Sequence, residues 1–387
     1  MNFELTKAQQ NVYEIVDELG KSNFAKRAAR YDEQAELPLE NLLDFKDAGL
    51  LAATVGKDLG GLGGGALGED YLLSLLIVEQ TARYCLSTAQ CIHIHFNGAH
   101  GVDRLGTQEQ RERLLRPVVE EGALFNGTGS EPGRTARGLY NLQTVAEPVE
   151  GGYKVNGVKN YSTLADIVSY NSIGAIITGH APPEGYLQLL VARDSPGYRP
   201  VPGSWNPSGM RGAVSPVVEL TDVFVPHKNV LGPPGNGPRN RWQAKSHLSF
   251  AAQFIGGSEG IFDFLKAYIP QRGTASDGYT QLRMGEIRVA IDAARWLTYR
   301  AAWLWGRDVQ AAELISMNAK YQAIQSAILT MDKAAQIAGS SAMWADSVLS
   351  RFVRDLRVQT LHNNQDKAAA TVGKFHLGEP YDVTSRL

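Results

Sequence analysis

Near the end of the chain, Arg354-Asp355-Leu356-Arg357 leads through Val358-Gln359-Thr360-Leu361 to His362 and Asn363. A histidine titrates near neutrality and can take or return a proton during a reaction. The neutral amide of Asn363 cannot take one. His362 follows a helical pattern, so it either caps that helix or handles a proton. A second group, His93, His95 and His100, invites a metal-site reading. On a helix, residues two apart do not share a face, and no cysteine or paired carboxylate completes a ligand set. No metal is therefore expected, and His95 is either the wall of a site or a core histidine. The cluster Gly60-Gly61-Leu62-Gly63-Gly64-Gly65 has no strand before it and no Gly-Lys-Ser/Thr after it. It reads as a flexible turn, not a phosphate loop.

The elements that must position these residues come in the order helix, strand, helix. Leu39, Leu42, Leu43 and Leu50 recur at helical steps, and residues 71–82 form a strongly apolar helix. From about residue 123 the period changes to two. Short runs at 153–155, 168–170, 187–191 and 217–220 are bounded by Gly151-Gly152 and Pro182-Pro183, which predicts a small β-barrel or sandwich. The segment Gly232-Pro233-Pro234-Gly235-Asn236-Gly237-Pro238 is a linker. Beyond it, residues 246–361 read as helical, with Ala-rich apolar stripes at 287–304 and 311–337 that suit a helix bundle. Domain boundaries are expected at 1–122, 123–237 and 238–387.

Composition narrows the partners. Lys+Arg at 38 against Asp+Glu at 40 gives a net charge of -2, with no basic tract for nucleic acid. Cys85 and Cys91 are the only cysteines, which excludes a disulfide framework and fits a reducing cytoplasm. Two small buried residues on one helix is the preferred reading of that pair. No apolar run reaches membrane-spanning length, and the first residues are unlike a signal peptide.

Several motifs, in order, resemble the acyl-CoA dehydrogenase superfamily across essentially the whole chain. They are Gly106-Thr107-Gln108-Glu109-Gln110, Ser130-Glu131-Pro132-Gly133, Asn156-Gly157-Val158-Lys159-Asn160-Tyr161-Ser162-Thr163, Met210-Arg211-Gly212, Asp222-Val223-Phe224-Val225-Pro226 and the Arg354–Asn363 segment. The resemblance implies an α+β fold: an N-terminal helical domain, a middle β-barrel domain and a C-terminal four-helix bundle. It implies a bound flavin, with Thr163 at the flavin N5 edge, Ser130 and Ser215 beside it, and Arg272 at the flavin phosphate. For Arg272, a surface arginine is the equal alternative. His362 and Asn363 stand where the dehydrogenases have Tyr and the catalytic Glu.

The departures resemble the reduced-flavin-dependent monooxygenase branch, typified by dibenzothiophene monooxygenase. They are Ser87-Thr88-Ala89-Gln90 with His95, Ser276-Asp277-Gly278-Tyr279 with Gln281, and His362 through His376-Leu377. Asn363 and Gly127 differ from that branch's usual Asp and Asn. This likeness implies reduced FMN supplied by a flavin reductase (FAD as the alternative), oxygen captured as a C4a-hydroperoxyflavin, and transfer of one oxygen atom to sulfur or nitrogen of a small molecule. The catalytic set would be His362, His95 and Thr163, in a homotetramer. Substrate choice would rest on loops at 134–140 and 202–208, with Trp205 expected to pack away from the pocket. The competing reading is an FAD-dependent acyl-CoA dehydrogenase or oxidase with a non-standard base. In the isovaleryl type the Glu moves to an earlier helix, whose equivalent here, Ser249-Phe250-Ala251, offers no carboxylate; Glu259 is the nearest acid. A third reading is a non-catalytic binding protein.

Overall fold

A computed structural model describes residues 4–133, 140–241, 245–362 and 364–382. Six helices come first: α1 Lys7–Leu19, α2 Ala25–Gln34, α3 Leu39–Asp47, α4 Leu73–Ala82, α5 Leu86–Leu105 and α6 Gln108–Glu120. Capping boxes start α1 and α6, where Thr6 and Thr107 accept from the backbone of Gln9 and Gln110. In α6 the same Gln110 also donates through Nε2 to the carbonyls of Lys228 and Val230, tying the helical layer to the β-domain. Helix α4 is buried at every position, as its unbroken apolar sequence requires. Between α3 and α4 the glycine cluster forms a turn, but a pinned one. Gly63 N–H donates to Val55 O at 2.8 Å and Gly64 N–H to Ala53 O at 2.8 Å.

The middle of the chain forms one curled seven-stranded sheet. Its strands are β1 Phe125–Thr128, β2 Val145–Val149, β3 Gly152–Lys159, β4 Tyr170–Ile177, β5 Tyr186–Ala192, β6 Tyr198–Pro200 and β7 Val218–Pro226. The order is β1-β4-β2-β3-β7-β6, with β5 along β4. Strand β1 runs parallel to β4, pairing Phe125 with Tyr170 and Thr128 with Ile173. The expected strand at 168–170 catches only the first residue of β4. All but that first residue of β4 are buried, so the strand shows no polar–apolar alternation for the period-two reading to find.

After a short helix α7 (Asn236–Arg239) come α8 His247–Gln271, α9 Gly278–Leu304, α10 Val309–Ala338, α11 Val348–Thr360 and α12 Gln365–Leu377. Asp277, Asp308, Ser347 and Asn364 cap α9 to α12 by accepting from the third residue beyond each. Helices α8 to α11 form the expected four-helix bundle around Phe254, Ile291, Ile324 and Leu356. Small residues let the helices close. A Cβ at Gly256 would lie 2.0 Å from Glu79 O, so α8 meets α4 backbone to backbone there. Cys85 and Cys91 are buried, unbridged thiols. Among the described residues no helix is long and apolar enough to cross a membrane.

One buried ion pair locks the sheet. Lys159 Nζ lies 2.8 Å from Glu131 Oε1 and donates to Gly174 O at 2.7 Å, and both side chains are fully buried. Glu131 also accepts from Thr144 Oγ1 and from the backbone N–H of Gln143 and Thr144. Burial alone would raise the Glu131 carboxyl, but Lys159 and these donors hold it down to about 2, against an ordinary value of 4.5. Its contribution to stability is therefore present above about pH 4.5 and is lost as the pH falls toward 2. Lys159→Met strands a buried carboxylate and should cost about 3–5 kcal/mol at neutral pH. The deficit should shrink on acidification, as the stranded group takes a proton, and Glu131→Gln should recover part of it. Thermal melts across pH would show this, and a Lys159→Met protein melting like wild type would refute it.

Candidate active site

A cavity of about 820 Å³ lies between the concave side of the sheet and the helices. That is room for a ring cofactor and a small second molecule. Its β-wall is built from β1 and the turn after it. Gly127, Thr128, Gly129 and Ser130 line it, and a Cβ at Gly127 would meet nothing within 4 Å. Thr163 and Ser215 close one side of this wall. Their hydroxyls are 2.8 Å apart, and Ser215 donates to Ala213 O at 2.5 Å, which leaves Ser215 to accept from Thr163. Asn126, buried behind the wall, donates through Nδ2 to Thr163 O at 2.9 Å and so fixes this corner. Trp205 and Tyr161 stand at the rim, ring centres 6.3 Å apart and perpendicular.

The opposite wall is helical. It takes Gln90, Ile94 and Asn97 from α5, His247 to Phe250 from α8, Lys320 from α10, and Val358, Gln359, Leu361 and His362 from the end of α11. The His362 ring stacks on Phe250 with centres 4.0 Å apart, and His93 meets the same ring edge-on at 4.4 Å. Behind this wall runs an amide network. Gln359 Nε2 donates to Gln90 Oε1 (3.0 Å) and Gln253 Oε1 (2.8 Å), and Gln253 Nε2 lies 2.6 Å from His93 Nδ1. Burial first, and the charge of Lys320 second, hold His93 neutral down to about 3.

The structure brings His362, Thr163, Ser130 and Ser215 to one cavity. Two other expectations change. His95 is not a wall: it projects from α5 outside the cavity lining and is fully buried, its Nε2 lies 2.9 Å from Leu51 O, and its Nδ1 accepts from Phe125 N–H at 3.1 Å. With both nitrogens committed to backbone, and burial lowering its pKa to about 4, it is a neutral strut holding β1 against α5. Trp205, expected to pack, lines the cavity while donating to Met210 O and Arg211 O. Arg272 sits exposed at the C-terminal end of α8, over the Tyr268 ring and outside the cavity lining. Asn363 and residues 134–139 lie outside the described residues.

Sequence reasoning missed Asn126, Gln90, Phe250, Gln359 and Lys320. The helical period could have placed Gln90 with Ile94 and Asn97 on one face of α5. Nothing local marks Lys320, which faces inward from the middle of a long helix.

The β-wall fits a flat, hydrogen-bonding ring system such as a flavin. Glycines leave a flat floor, and among the described residues Thr128 Oγ1, Asn160 Oδ1 and Ser162 Oγ are buried polar atoms without a partner. Thr128, Asn160 and Thr163 all line the cavity. The carboxylate inventory is as telling. Among the described residues the cavity wall carries one acid, Glu131, already paired with Lys159. Ser249 and Phe250, expected from the resemblance to stand at the isovaleryl-type base position, line the cavity and carry no carboxylate. Glu259 is held by Arg288 and Arg295 at 2.9 and 2.5 Å and is not part of the lining.

Comparison with known proteins agrees with this architecture. The acyl-CoA dehydrogenase N-terminal domain family matches residues 6–122, and the acyl-CoA dehydrogenase C-terminal domain family matches residues 244–363. The chain belongs to the acyl-CoA dehydrogenase family. It is 26% identical over 383 residues to the short-chain-specific acyl-CoA dehydrogenase of Clostridium acetobutylicum, covering 96% of this chain and 98% of that one. Butyryl-CoA dehydrogenase from Megasphaera elsdenii shares the fold with a TM-score of 0.89 at 23% identity, over 97% of this chain and 100% of that one. Dibenzothiophene monooxygenase from Paenibacillus sp. A11-2 does so with a TM-score of 0.85 at 21% identity, over 97% and 99%. One fold thus holds two chemistries.

Thr163→Val removes a hydroxyl from the β-wall and leaves Ser215 bonded to Ala213. It should weaken binding of FMN or FAD about tenfold, the scale of one hydrogen bond, with an unchanged melting temperature. His95→Leu should do the reverse, lowering the melt and sparing flavin affinity. Flavin titration with parallel melts checks both, and a Thr163→Val protein binding flavin like wild type would remove Thr163 from the site.

Proposed function

We propose that this chain binds a flavin against the β-wall and, with flavin reduced by a separate reductase, transfers oxygen from O2 to a small molecule held by the helical wall. The observation that carries this reading is the missing base. Dehydrogenation of an acyl thioester begins with removal of a proton next to the thioester carbonyl, which requires a strong, correctly placed acceptor. The only carboxylate on the described lining is neutralised by Lys159, and position 363 is Asn. Residues 134–139 and 242–244, outside the described residues, contain no Asp or Glu in the sequence.

Reduced flavin, when bound, supplies the electrons that activate O2. The chain's own residues do the rest. Thr163 and Ser215 offer hydroxyls at one edge of the ring site, while Phe250, Leu75 and Trp205 keep the cavity partly apolar and limit water. His362, seated on Phe250, is the group able to hold or deliver a proton between the two ligands.

The second reading is an acyl-CoA dehydrogenase or oxidase that uses a non-carboxylate base, His362 in the first place. The names of the sequence relatives favour this reading over oxygen transfer, and the site's acid inventory favours oxygen transfer over it. Anaerobic addition of butyryl-CoA to the FAD-loaded protein separates the two: bleaching of the flavin would establish the dehydrogenase and end the oxygenase proposal. On the oxygenase reading, His362→Ala should leave flavin binding intact and lower product per flavin oxidised about a hundredfold. Hydrogen peroxide should rise in proportion. An unchanged coupling ratio would make His362 a helix cap.

The quaternary proposal is a homotetramer. Leu282, Val289, Trp296 and Trp303 recur every seven residues along α9 and are 42 to 70% exposed in the single chain. A seven-residue repeat keeps such side chains in one stripe, and an apolar stripe of this length asks for a partner. Trp296→Glu with Trp303→Glu should shift the sedimentation coefficient toward smaller species. A wild-type protein sedimenting as a monomer at micromolar concentration would refute the assembly.

A further inference from the structure

We propose that Gln90 and Gln359 form a recognition site on the helical wall for a neutral amide edge, a primary carboxamide or lactam on the molecule to be oxidised. The inference rests on reading this cavity as the joint flavin and substrate site. Its first support is a count of donors and acceptors in the amide network. A carboxamide has two N–H donors and one oxygen with two lone pairs. Gln359 spends both donors, on Gln90 Oε1 at 3.0 Å and Gln253 Oε1 at 2.8 Å. Gln253 donates to Gln90 Oε1 at 3.1 Å and reaches His93 Nδ1 at 2.6 Å. Gln90 Oε1 therefore has both lone pairs filled. Among the described residues nothing accepts from Gln90 Nε2, and nothing donates to Gln359 Oε1.

Its second support is where the two spare ends lie. Both residues line the cavity, and Gln359 is only 6% exposed, so a polar end left unpaired there is costly. The amides are joined by one 3.0 Å hydrogen bond, which keeps their spare ends within about 7.5 Å of each other. One ligand edge carrying both N–H and C=O can bridge that span. Reversing all three amides together, with His93 donating from Nδ1, exchanges the two ends and leaves the same pair. A ketone satisfies the donor alone, and a carboxylate turns a lone pair toward the acceptor. A carboxamide or lactam satisfies both. Ile94, one turn along α5 from Gln90, and Phe250 add apolar surface for the body of such a molecule.

The flavin ring carries an imide edge of the same chemistry, so the test separates cofactor from substrate. Binding of benzamide and of acetophenone, which has a methyl in place of the amide nitrogen, is measured by calorimetry with and without saturating FMN. Wild type should bind benzamide about tenfold tighter than acetophenone, the scale of one hydrogen bond. That preference should survive saturation with FMN. Gln90→Met should abolish it. Gln90→Glu still accepts from Gln253 and Gln359 but turns an acceptor toward the cavity. Benzamidine, with donors on both nitrogens, should then replace benzamide as the tighter ligand. FMN affinity should be the same in all three proteins. Equal affinity of wild type for benzamide and acetophenone would overturn the proposal without any variant. So would a Gln90→Glu protein that keeps its preference for benzamide. Loss of benzamide binding on adding FMN, or weaker FMN binding in Gln90→Glu, would give the pair to the cofactor and overturn it too. A benzamide preference in a protein that binds no flavin would sustain the amide site while removing the flavin reading.

Discussion

Everything around the cavity depends on a clamp in which three parts of the chain meet at Arg354 and Asp355. Arg354 reaches Asp32 of α2 at 2.5 Å and Ser208 O at 3.1 Å. Asp355, fully enclosed, accepts from Met210 N–H at 2.5 Å. Arg211 completes the knot by donating to Asp32 O at 2.7 Å. The segment so held is forced into a conformation it would not choose. Met210 has φ of 57°, and a Cβ at position 209 would lie 2.2 Å from Arg354 O, so only glycine fits there. Trp205 and Ser215 flank that segment and are walls of the cavity. The Arg-Asp pair therefore acts on the site at a distance, as a positioning device. Burial pushes the Asp355 carboxyl up to about 7, and the acid can accept from Met210 with or without its proton.

The same scaffold explains how one family supports different reactions. The β-wall, with its glycine floor and hydroxyl corner, is a platform for a planar cofactor and leaves the reaction type open. The commitment lies on the helical wall, where a carboxylate would favour proton abstraction. Here that wall presents imidazole, amide and ammonium groups instead. Membership of the acyl-CoA dehydrogenase family describes the platform. The reaction is decided by a handful of side chains facing it.

Histidine shows how unevenly a site can be read. His93, His95 and His100 stand close together in sequence, yet the fold gives the first two different structural tasks. His95 bonds backbone on both sides, and His93 terminates the amide network, lying 2.7 Å from Asn97 and 2.6 Å from Gln253. Both contacts come from amide nitrogens, which only donate, so the one unprotonated nitrogen of the neutral ring accepts from just one of them. Both rings are stripped of water, which keeps them uncharged. His362 shares their chemistry and none of their burial, because it comes after the last turn of α11 at the cavity mouth.

The amino-acid sequence by itself determined the order of layers, since a change of hydrophobic period from helical to two and back is a property of neighbours along the chain. It also determined the turn at the glycines and the loss of the acid at 363. The resemblance of its motifs to a known family implied that Thr163, Ser130, Ser215 and His362 share one site. What only the tertiary structure decided were the contacts between segments far apart. His95 became a strut because Leu51 and Phe125 arrive on either side of it. Trp205 became a wall because Arg354 and Asp355 hold its loop inward. Lys320 entered the cavity because α10 packs on α8 beside Phe250. Burial and charge balance are sums over such distant neighbours, and no window along the chain contains them.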